Sequence, residues 1–393
     1  MNKKYVPRAL QKDLKARVQE FPVVVVTGPR QSGKSTLLTR LFKNHRYVSL
    51  DDPTLRRVAL EDPEIFLENH PAPLIIDEIQ YCPGILPYIK IAVDRNRNLN
   101  GQYLLTGSQM FPLMQGVTES LAGRAAIYEL LGFSLEEYPN RKTSYTAKNC
   151  FQILFEGSYP EVCIHEADPN AFYRSYIQSY LERDIRQIRA VHDLNVYQNF
   201  LELLAARCGS LLNTNEISKE CGVSATTIRN WLSVLETTRI VYQLRPYFKN
   251  ISKRVIKSPK IYFTDTGLLA YILKYPSAET LQHGPMAGAF FENYIVLEFL
   301  KYKMNHDQRF DLFFFRDSNH NEADLVIDRG YEKIVCEVKF TKTPRKEHLK
   351  DLSKMRDVIG ASQAYLITAS ASEMGVDKQV FLLPWWRIDQ LFH

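Results

Sequence analysis

A short apolar run that leads into a glycine-rich stretch constrains the fold of this chain more than any other feature. Four consecutive valines at 23–26 precede residues 28–35, which read GPRQSGKS and fit the pattern G-x-x-x-x-G-K-[ST]. Glycines let backbone N–H groups turn inward around phosphate oxygens, and a helix that begins near Lys34 adds the positive end of its dipole. The alternative is a tight turn without a ligand, but the preceding strand favours a phosphate-binding loop.

This loop predicts both ATP and Mg²⁺ as cofactors. The Lys34 ammonium is expected to reach the β- and γ-phosphates, and the Ser35 hydroxyl is expected to ligate Mg²⁺. The residues predicted to contact the nucleotide or its metal are Gly28, Pro29, Arg30, Gln31, Ser32, Gly33, Lys34, Ser35, Thr36, Asp77 and Ser108.

An acidic pair follows a second apolar run, at 74–76. In a parallel sheet the carboxyl ends of the strands form the edge where ligands bind. We therefore expect Asp77 to hold Mg²⁺ through water and Glu78 to polarise the attacking water as the catalytic base. The alternative reading of Asp77 is a helix N-cap.

A third apolar run, at 102–106, ends next to two polar residues, Ser108 and Gln109. Either side chain is placed to sense the γ-phosphate, or the strand simply ends in polar residues. Arg124 is a candidate catalytic finger for the nucleotide of a neighbouring subunit, which would make the protein a homo-oligomer. A surface arginine without this role is the alternative.

Composition places the chain among globular proteins and limits its partners. Of 393 residues, 45% are hydrophobic and 24% charged, and no apolar run reaches the roughly 20 residues of a membrane helix. We expect a cytoplasmic protein without a membrane partner, whose six scattered cysteines are buried thiols. The net charge of +6 permits a DNA partner without establishing one.

The middle of the chain predicts a helix-turn-helix followed by two strands. Residues 214–224 begin with a capping residue, Thr214, and end their helix at a glycine, and Ser224 then caps a second helix over 225–235. Strands at 240–244 and 260–264 would complete a winged helix, which serves either DNA or protein docking. The predicted DNA contacts are Thr226, Thr227, Arg229 and Asn230 on the second helix, and Arg245, Lys249, Lys253, Arg254 and Lys257 on the wing.

The carboxyl-terminal region places acids and a lysine on a predicted hairpin. Strand periodicity puts Glu337 and Lys339 on one face, and the hairpin brings Asp324 near them. This resembles the D…E-x-K core of restriction-endonuclease-like folds, which implies a second metal site at Asp324, Glu337 and Glu292 of an upstream helix, beside Lys339. A salt-bridged cluster without metal is the equal alternative.

With these motifs in place, the chain resembles a prokaryotic family of AAA+ ATPases in which the motor precedes a domain of unknown function. The resemblance covers nearly the full length. It is carried by residues 5–8 (YVPR), 47–53 (YVSLDDP), 77–80 (DEIQ), 106–108 (TGS), 157–161 (GSYPE) and 180–184 (YLERD). Within the second stretch, Asp51 and Asp52 are expected to cap the following helix.

We therefore predict an α/β protein with a P-loop AAA+ parallel-sheet motor, a helical and winged-helix region, and a restriction-endonuclease-like α/β domain. The predicted boundaries are 1–145 for the motor, 146–208 for a helical lid, 209–280 for the winged helix and 281–393 for the last domain. The predicted function is Mg²⁺-dependent ATP hydrolysis that acts on or positions DNA. The alternatives are a nucleotide-gated switch on a partner protein and an ATP-licensed, metal-dependent nuclease.

Overall fold

The computed structural model describes residues 5–108, 120–138, 145–180, 193–248, 258–317, 321–369, 374–377 and 379–392. The chain divides into two compact units. The first comprises Met1–Glu137, Thr237–Arg239 and Met304–Asp307, and the second comprises Tyr138–Glu236, Ile240–Lys303 and Gln308–His393. The first unit ends near the boundary predicted at residue 145. The divisions predicted beyond it fall within the second unit and stay predictions.

The first unit is built around a parallel sheet, as the sequence predicts. Its strands in the described residues are β1 (Val23–Thr27), β2 (Arg46–Ser49), β3 (Leu74–Asp77), β4 (Tyr103–Gly107) and β5 (Ala125–Glu129), in the order β2-β3-β4-β1-β5. Every pair of neighbouring strands is parallel. The carboxyl ends of the strands therefore share one edge, at which the loop after β1 and the acidic pair after β3 meet.

Helices cover both faces of this sheet. Val23 and Val25 belong to one apolar cluster, whereas Val24 and Val26 belong to another. Because both faces are covered, the strand is a continuous apolar run rather than an alternating one. Helices α1 (Gln11–Val18) and α2 (Lys34–Leu41) pack on the second cluster, and α3 (Pro53–Glu61), α4 (Pro63–Asn69) and α5 (Leu86–Arg95) pack on the first.

The cap predicted before α3 is formed. Asp52 is the N-cap residue, and its carboxylate accepts hydrogen bonds from the backbone N–H groups of Thr54 at 2.7 Å and Leu55 at 3.3 Å. Pro53 fills the first helical position, where its missing N–H is not needed. The prediction that this acidic pair has a capping role is confirmed for Asp52.

The second unit begins with helices, as predicted for this part of the chain. They are α6 (Ala147–Glu156), α7 (Pro160–His165), α8 (Pro169–Tyr180) and α9 (Leu194–Ala205). The stretch at 157–161, which the family resemblance singled out, is a buried junction between them. Asp265 accepts hydrogen bonds there from Ser158 Oγ at 2.7 Å and Tyr173 OH at 2.6 Å, so these residues serve packing. In the stretch at 180–184, which the resemblance also includes, residues 181–184 lie outside the described residues.

The predicted helix pair and hairpin are both present. The helices are α10 (Thr214–Cys221) and α11 (Ala225–Thr237), and the strands are β6 (Val241–Pro246) and β7 (Lys260–Phe263), which pair in antiparallel fashion. Gly222 ends α10 with φ 68°, as predicted. The cap of α10 is Asn213 rather than Thr214, because the Asn213 side chain accepts the Glu216 N–H at 3.2 Å.

The hairpin belongs to a larger sheet that crosses the boundary predicted at residue 280. In the described residues this sheet has eight strands in the order β12-β13-β11-β10-β9-β8-β6-β7. Its remaining strands are β8 (Asp311–Arg316), β9 (Glu322–Asp328), β10 (Lys333–Lys339), β11 (Gln363–Thr368), β12 (Met374–Asp377) and β13 (Val380–Pro384). The accompanying helices are α12 (Thr266–Ile272), α13 (Ala278–His283), α14 (Ala287–Asn305) and α15 (Lys346–Ile359), with a 3-10 segment at Trp385–Phe392.

Two expectations from composition concern the cysteines and the membrane. All six cysteines are free thiols, and four are buried while Cys163 and Cys221 are half-buried. In the part of the chain that the structure describes, no helix has both the length and the apolar character needed to cross a membrane.

Candidate nucleotide-binding site

The loop at 28–35 connects β1 to α2 and depends on two glycines. Gly28 has φ 138°, and a Cβ atom at this position would lie 2.2 Å from the Leu130 carbonyl oxygen. Gly33 has φ 93° and is the N-cap residue of α2. Only glycine adopts such backbone conformations without strain, so the spacing of the motif follows from the path of the loop.

Lys34 is buried inside this loop. Its side-chain ammonium donates hydrogen bonds to the carbonyl oxygens of Gly28 at 3.0 Å and Pro29 at 2.8 Å, and the residue is only 4% exposed. Burial lowers its pKa to about 8, although Glu78 and Asp77 partly oppose this effect. The protein therefore holds a cation here that its own acids do not fully balance.

Asp77, at the end of β3, accepts hydrogen bonds from three hydroxyl groups. Ser35 Oγ donates to Asp77 Oδ1 at 2.7 Å, and Thr106 Oγ1 donates to the same oxygen. Tyr47 OH donates to Asp77 Oδ2 at 2.7 Å, and burial followed by this hydrogen bond raises the Tyr47 pKa. The structure thus brings Ser35 and Asp77 together as predicted. The parts played by Tyr47 and Thr106 were not predicted.

Glu78 has a left-handed backbone conformation, with φ 57°. Its Oε2 atom accepts hydrogen bonds from Gln80 Nε2 and from Ser108 Oγ, the latter at 3.3 Å. Gln80 also donates to Ser108 Oγ at 3.0 Å, which closes a small network. Ser108 therefore lies beside the predicted base, and its role as a sensor stays a prediction. Gln109 lies outside the described residues.

Arg8 holds the loop from the amino-terminal side, a role that no motif indicated. Its guanidinium donates to the Ser32 carbonyl at 2.9 Å and to the Leu131 carbonyl at 2.8 Å, and its Nε lies 3.0 Å from Glu137 Oε1. Both side chains of this ion pair are almost completely buried. Arg8 is part of the family-like stretch at 5–8, and its hydrogen bonds fix the loop backbone.

The other predicted loop residues are placed as follows. Pro29 and Ser32 are buried, Arg30 is half-buried, and Gln31 and Thr36 are exposed. Gln31 has φ 61° in the turn of the loop. Ser32 Oγ is buried and has no hydrogen-bond partner among the residues that the structure describes. A phosphate oxygen would provide the missing partner.

Arg124 lies at the opposite edge of the sheet from the loop of its own chain. It immediately precedes β5, and its carbonyl accepts the N–H of Val23 at the start of β1. Its guanidinium forms two hydrogen bonds with Asp94, at 2.7 and 3.0 Å. The structure therefore does not bring Arg124 to the site within one chain, and its predicted role toward a neighbour stays a prediction.

The second unit brings together the acids predicted near the β9–β10 hairpin. Lys339 Nζ lies 2.7 Å from Glu337 Oε1 and 3.9 Å from Asp324 Oδ2. The backbone N–H of Val338 donates to Asp324 Oδ2 at 2.9 Å. Burial, followed by the nearby Asp324, raises the pKa of Glu337 to about 8. The hairpin geometry inferred from strand periodicity is confirmed.

Glu292 on α14 joins this group, together with residues that the sequence did not indicate. Its carboxylate accepts Tyr262 OH at 2.6 Å and Lys260 Nζ at 3.1 Å. Burial, followed by Asp324, raises the pKa of Glu292 to about 7. Within the described ranges, no group of three or more His, Cys, Asp or Glu side chains is arranged to hold a metal ion. The predicted second metal site stays a prediction.

The face of α11 predicted to contact DNA is open to solvent. Thr226, Arg229 and Asn230 are exposed and Thr227 is half-buried. The residues predicted to face inward, Ile228, Trp231, Leu232 and Leu235, are all buried. On the wing, Arg245 is exposed, and Lys249, Lys253, Arg254 and Lys257 lie outside the described residues.

Comparison with known proteins gives matches to three domain families. Residues 20–139 match the family described as AAA domain. Residues 147–279 match a domain of unknown function, DUF8612, and residues 287–388 match another, DUF4143.

Among solved structures, the Walker-type ATPase PABY2304 of Pyrococcus abyssi is 14% identical with a TM-score of 0.46, over 67% of this chain and 94% of that one. AMPPCP-bound DnaA from Aquifex aeolicus is 15% identical with a TM-score of 0.28, over 58% of this chain and 85% of that one.

At such TM-scores these structures carry no statement about function. Two curated relatives are closer in sequence: uncharacterized proteins of Mycobacterium tuberculosis and Mycobacterium bovis, each 30% identical over 334 residues. The matched region covers 84% of this chain and 73% of each relative. On these grounds, the chain belongs to the family of P-loop ATPases in which an AAA domain is followed by the carboxyl-terminal domain of unknown function DUF4143.

Proposed function

We propose that this protein binds ATP with Mg²⁺ at residues 28–35 and hydrolyses the nucleotide with Glu78 as the base. The observation that carries the proposal is the buried ammonium of Lys34, held by the carbonyls of Gly28 and Pro29 at the same sheet edge as Asp77 and Glu78. A triphosphate would supply the negative charge that this lysine lacks. It would also satisfy the orphaned hydroxyl of Ser32.

The oxygen donors at this edge fit Mg²⁺. The Ser35 hydroxyl and the Asp77 carboxylate lie 2.7 Å apart, and hydroxyl, carboxylate and phosphate oxygens are the donors that Mg²⁺ takes. Ser35 would hold the ion directly and Asp77 would hold it through water. When bound, Mg²⁺ neutralises charge that develops on the transferred phosphoryl group.

Glu78 is positioned to accept the proton of the attacking water. Hydrogen bonds from Gln80 and Ser108 to its Oε2 atom orient this carboxylate. The proton would move from that water to the carboxylate as the water oxygen bonds to the γ-phosphorus, while the bond from that phosphorus to the β,γ-bridging oxygen breaks and ADP leaves. A positioned base of this kind is worth about 10²–10⁴-fold in rate.

Two variants test the proposal by separating binding from turnover. Lys34→Ala is expected to lose ATP binding in calorimetry, because the loop then lacks its cation. Glu78→Gln is expected to bind ATP as tightly as wild type while its turnover falls by about 10²-fold or more. Lys43→Ala and Glu61→Gln change exposed residues and serve as matched controls.

Two results would contradict this proposal. Normal hydrolysis by Glu78→Gln would exclude Glu78 as the base. Failure of the folded wild-type protein to bind ATP would exclude the nucleotide site itself.

We further propose that the ATPase cycle acts on or positions DNA through the helix pair α10–α11. The support is the exposed polar face of α11, with Arg229 and Asn230 in the half of the helix that enters the major groove in helix-turn-helix proteins. Arg245 on the adjoining strand is also exposed and suits a phosphate contact. The rival is a partner protein that docks on the same face while ATP acts as a switch.

DNA dependence of turnover distinguishes these two functions. If DNA is the partner, duplex DNA is expected to stimulate ATP hydrolysis, and Arg229→Ala should raise the DNA concentration needed by about tenfold. Arg57→Ala, at an exposed position of α3, is the matched control. Turnover that is indifferent to DNA at low salt would favour the partner-protein switch.

Two further proposals concern assembly and location. Assembly as a homo-oligomer would give Arg124 a neighbouring nucleotide to act upon, and native mass measurement with ATP present tests it. The cytoplasmic location also stays a prediction.

A further inference from the structure

A lysine from the hairpin strand β7 lies in the middle of the acidic group of the second unit. We call Glu292, Glu322, Asp324 and Glu337 the carboxylate cluster. Lys260 Nζ is 2.7 Å from Glu322 Oε1, 3.1 Å from Glu292 Oε1 and 3.4 Å from Asp324 Oδ1. The lysine is 3% exposed, so three acids share one buried ammonium.

This arrangement keeps Lys260 charged. Burial on its own lowers the pKa of Lys260, but Asp324, Glu292 and Glu322 together raise it above the ordinary value for a lysine. A buried ammonium is stable only where acids surround it closely, and the three distances satisfy that condition. Lys260 is therefore a permanent positive charge at neutral pH.

Other acceptor atoms of the cluster hold protein donors as well. Asp324 Oδ2 accepts the Val338 N–H, Glu292 Oε1 accepts Tyr262 OH, and Glu337 pairs with Lys339. A divalent cation needs several of these oxygens at about 2.0–2.6 Å, around a point that lies between them. The Lys260 ammonium already binds there, so the metal implied by the resemblance to restriction-endonuclease-like folds does not fit beside it.

Lys260 is held in this place by the backbone of its strand. The Asn293 side chain, which is completely buried next to Glu292, accepts the Phe263 N–H at 2.8 Å and donates to the Phe263 carbonyl at 2.9 Å. The Ile261 carbonyl accepts the Gly209 N–H at 2.8 Å. These bonds along one edge of β7, together with its pairing with β6 along the other edge, fix the register that delivers the lysine.

We propose that Lys260 is the built-in cation of the carboxylate cluster, and that it closes this site to divalent metal and thereby to phosphodiester cleavage. The cluster then joins the strand β7 to α14 and β9 as a structural lock. This proposal goes beyond ATP hydrolysis and does not depend on it. It selects the salt-bridged alternative over the ATP-licensed nuclease.

Calorimetric titration of Mn²⁺ into the full chain without nucleotide tests the proposal. Lys260→Met removes the charge with little change in length, and it is expected to bind one more Mn²⁺ per chain than wild type. Lys260→Arg keeps the charge and is expected to behave as wild type. Adding Asp324→Asn to Lys260→Met is expected to abolish the extra ion. Any Mn²⁺ bound at the nucleotide loop is common to all variants and cancels.

Two results would overturn the proposal. One is a wild-type Mn²⁺ site that Asp324→Asn abolishes, because Lys260 then coexists with the metal. The other is a folded Lys260→Met chain with no additional ion, because the lysine then excludes nothing.

A nuclease assay keeps the test decisive if Lys260→Met does not fold. Wild type and Glu337→Ala are expected to leave supercoiled plasmid equally intact in the presence of Mn²⁺. Nicking by wild type that Glu337→Ala abolishes would show an open metal site and overturn the proposal.

Discussion

Two buried lysines, one in each unit, have opposite electrostatic surroundings. Lys34 and Lys260 are 4% and 3% exposed, and each has acidic side chains in its surroundings. The pKa of Lys34 is lowered to about 8 by burial, whereas that of Lys260 is raised because three acids surround it. The first site has positive charge to offer a ligand. At the second site, carboxylates of the protein already balance the charge of Lys260.

The difference lies in which atoms the ammonium contacts. Lys34 donates to two backbone carbonyls, which are neutral dipoles. Lys260 contacts three carboxylates directly. A buried lysine with acids nearby is therefore a candidate for anion binding only where no carboxylate contacts its ammonium directly. A sequence motif does not show whether such contacts exist.

The largest expected effect is on stability, and it separates the two lysines. Lys260→Met is expected to lower the free energy of unfolding by about 3–5 kcal/mol, because three buried acids lose their cation. Lys34→Met is expected to change it by less than about 1 kcal/mol, since a desolvated charge disappears along with two hydrogen bonds. Urea unfolding at neutral pH measures both. Equal losses of unfolding free energy for the two variants would contradict this difference between the two lysines.

A smaller effect is expected from the arginine that supports the nucleotide loop. Arg8→Lys keeps the charge but loses the planar fork that reaches Glu137 and the carbonyls of Ser32 and Leu131, at a cost of about 1.5–3 kcal/mol in unfolding free energy. ATP affinity should fall with it, because the loop backbone loses its anchor. Arg17→Lys, on a more exposed ion pair with Glu20, is the control and should leave stability almost unchanged. If both substitutions behave alike, Arg8 does not position the loop.

The smallest expected effect is a pH dependence of ATP affinity. With a pKa of about 8, the Lys34 ammonium is protonated below that pH and loses its charge above it. ATP affinity should therefore fall by up to about tenfold as the pH rises from about 7 to about 9. Lys34→Arg should remove this dependence, because arginine does not titrate in that range. Calorimetry across the range checks it, and a flat wild-type profile would show that the lysine has an ordinary pKa.

Much of the nucleotide site could be predicted because its elements are local. The loop at 28–35 directly follows β1, and Asp77 and Glu78 come at the end of β3. The two segments meet because both strands belong to the same parallel sheet. The inward residues of α11 were equally predictable, since Ile228, Trp231 and Leu235 recur at helical spacing. In each case the pattern that predicts the feature lies within a few neighbouring residues.

The residues that were missed depend on distant parts of the chain. Arg8 and Glu137 are separated by 129 positions, and Tyr47 and Asp77 by 30. Lys260 is 32 positions from Glu292 and 64 from Asp324. The hairpin β6–β7 was predicted, but its pairing with β8 was not, because Arg245 and Pro246 lie opposite Phe313 and Phe314, which are distant in the sequence.

The glycine-rich loop at 28–35, the acidic end of β3 and most of the order of helices and strands could be inferred from the sequence alone. These follow from periodicity, glycine spacing and capping, which act over a few residues. The charge balance around each lysine depends on tertiary packing, because the field at a buried ammonium depends on which acids lie within about 4 Å of it. For this reason the motif could identify Lys34, whereas the role proposed for Lys260 became visible only once Glu292, Glu322 and Asp324 were seen around it.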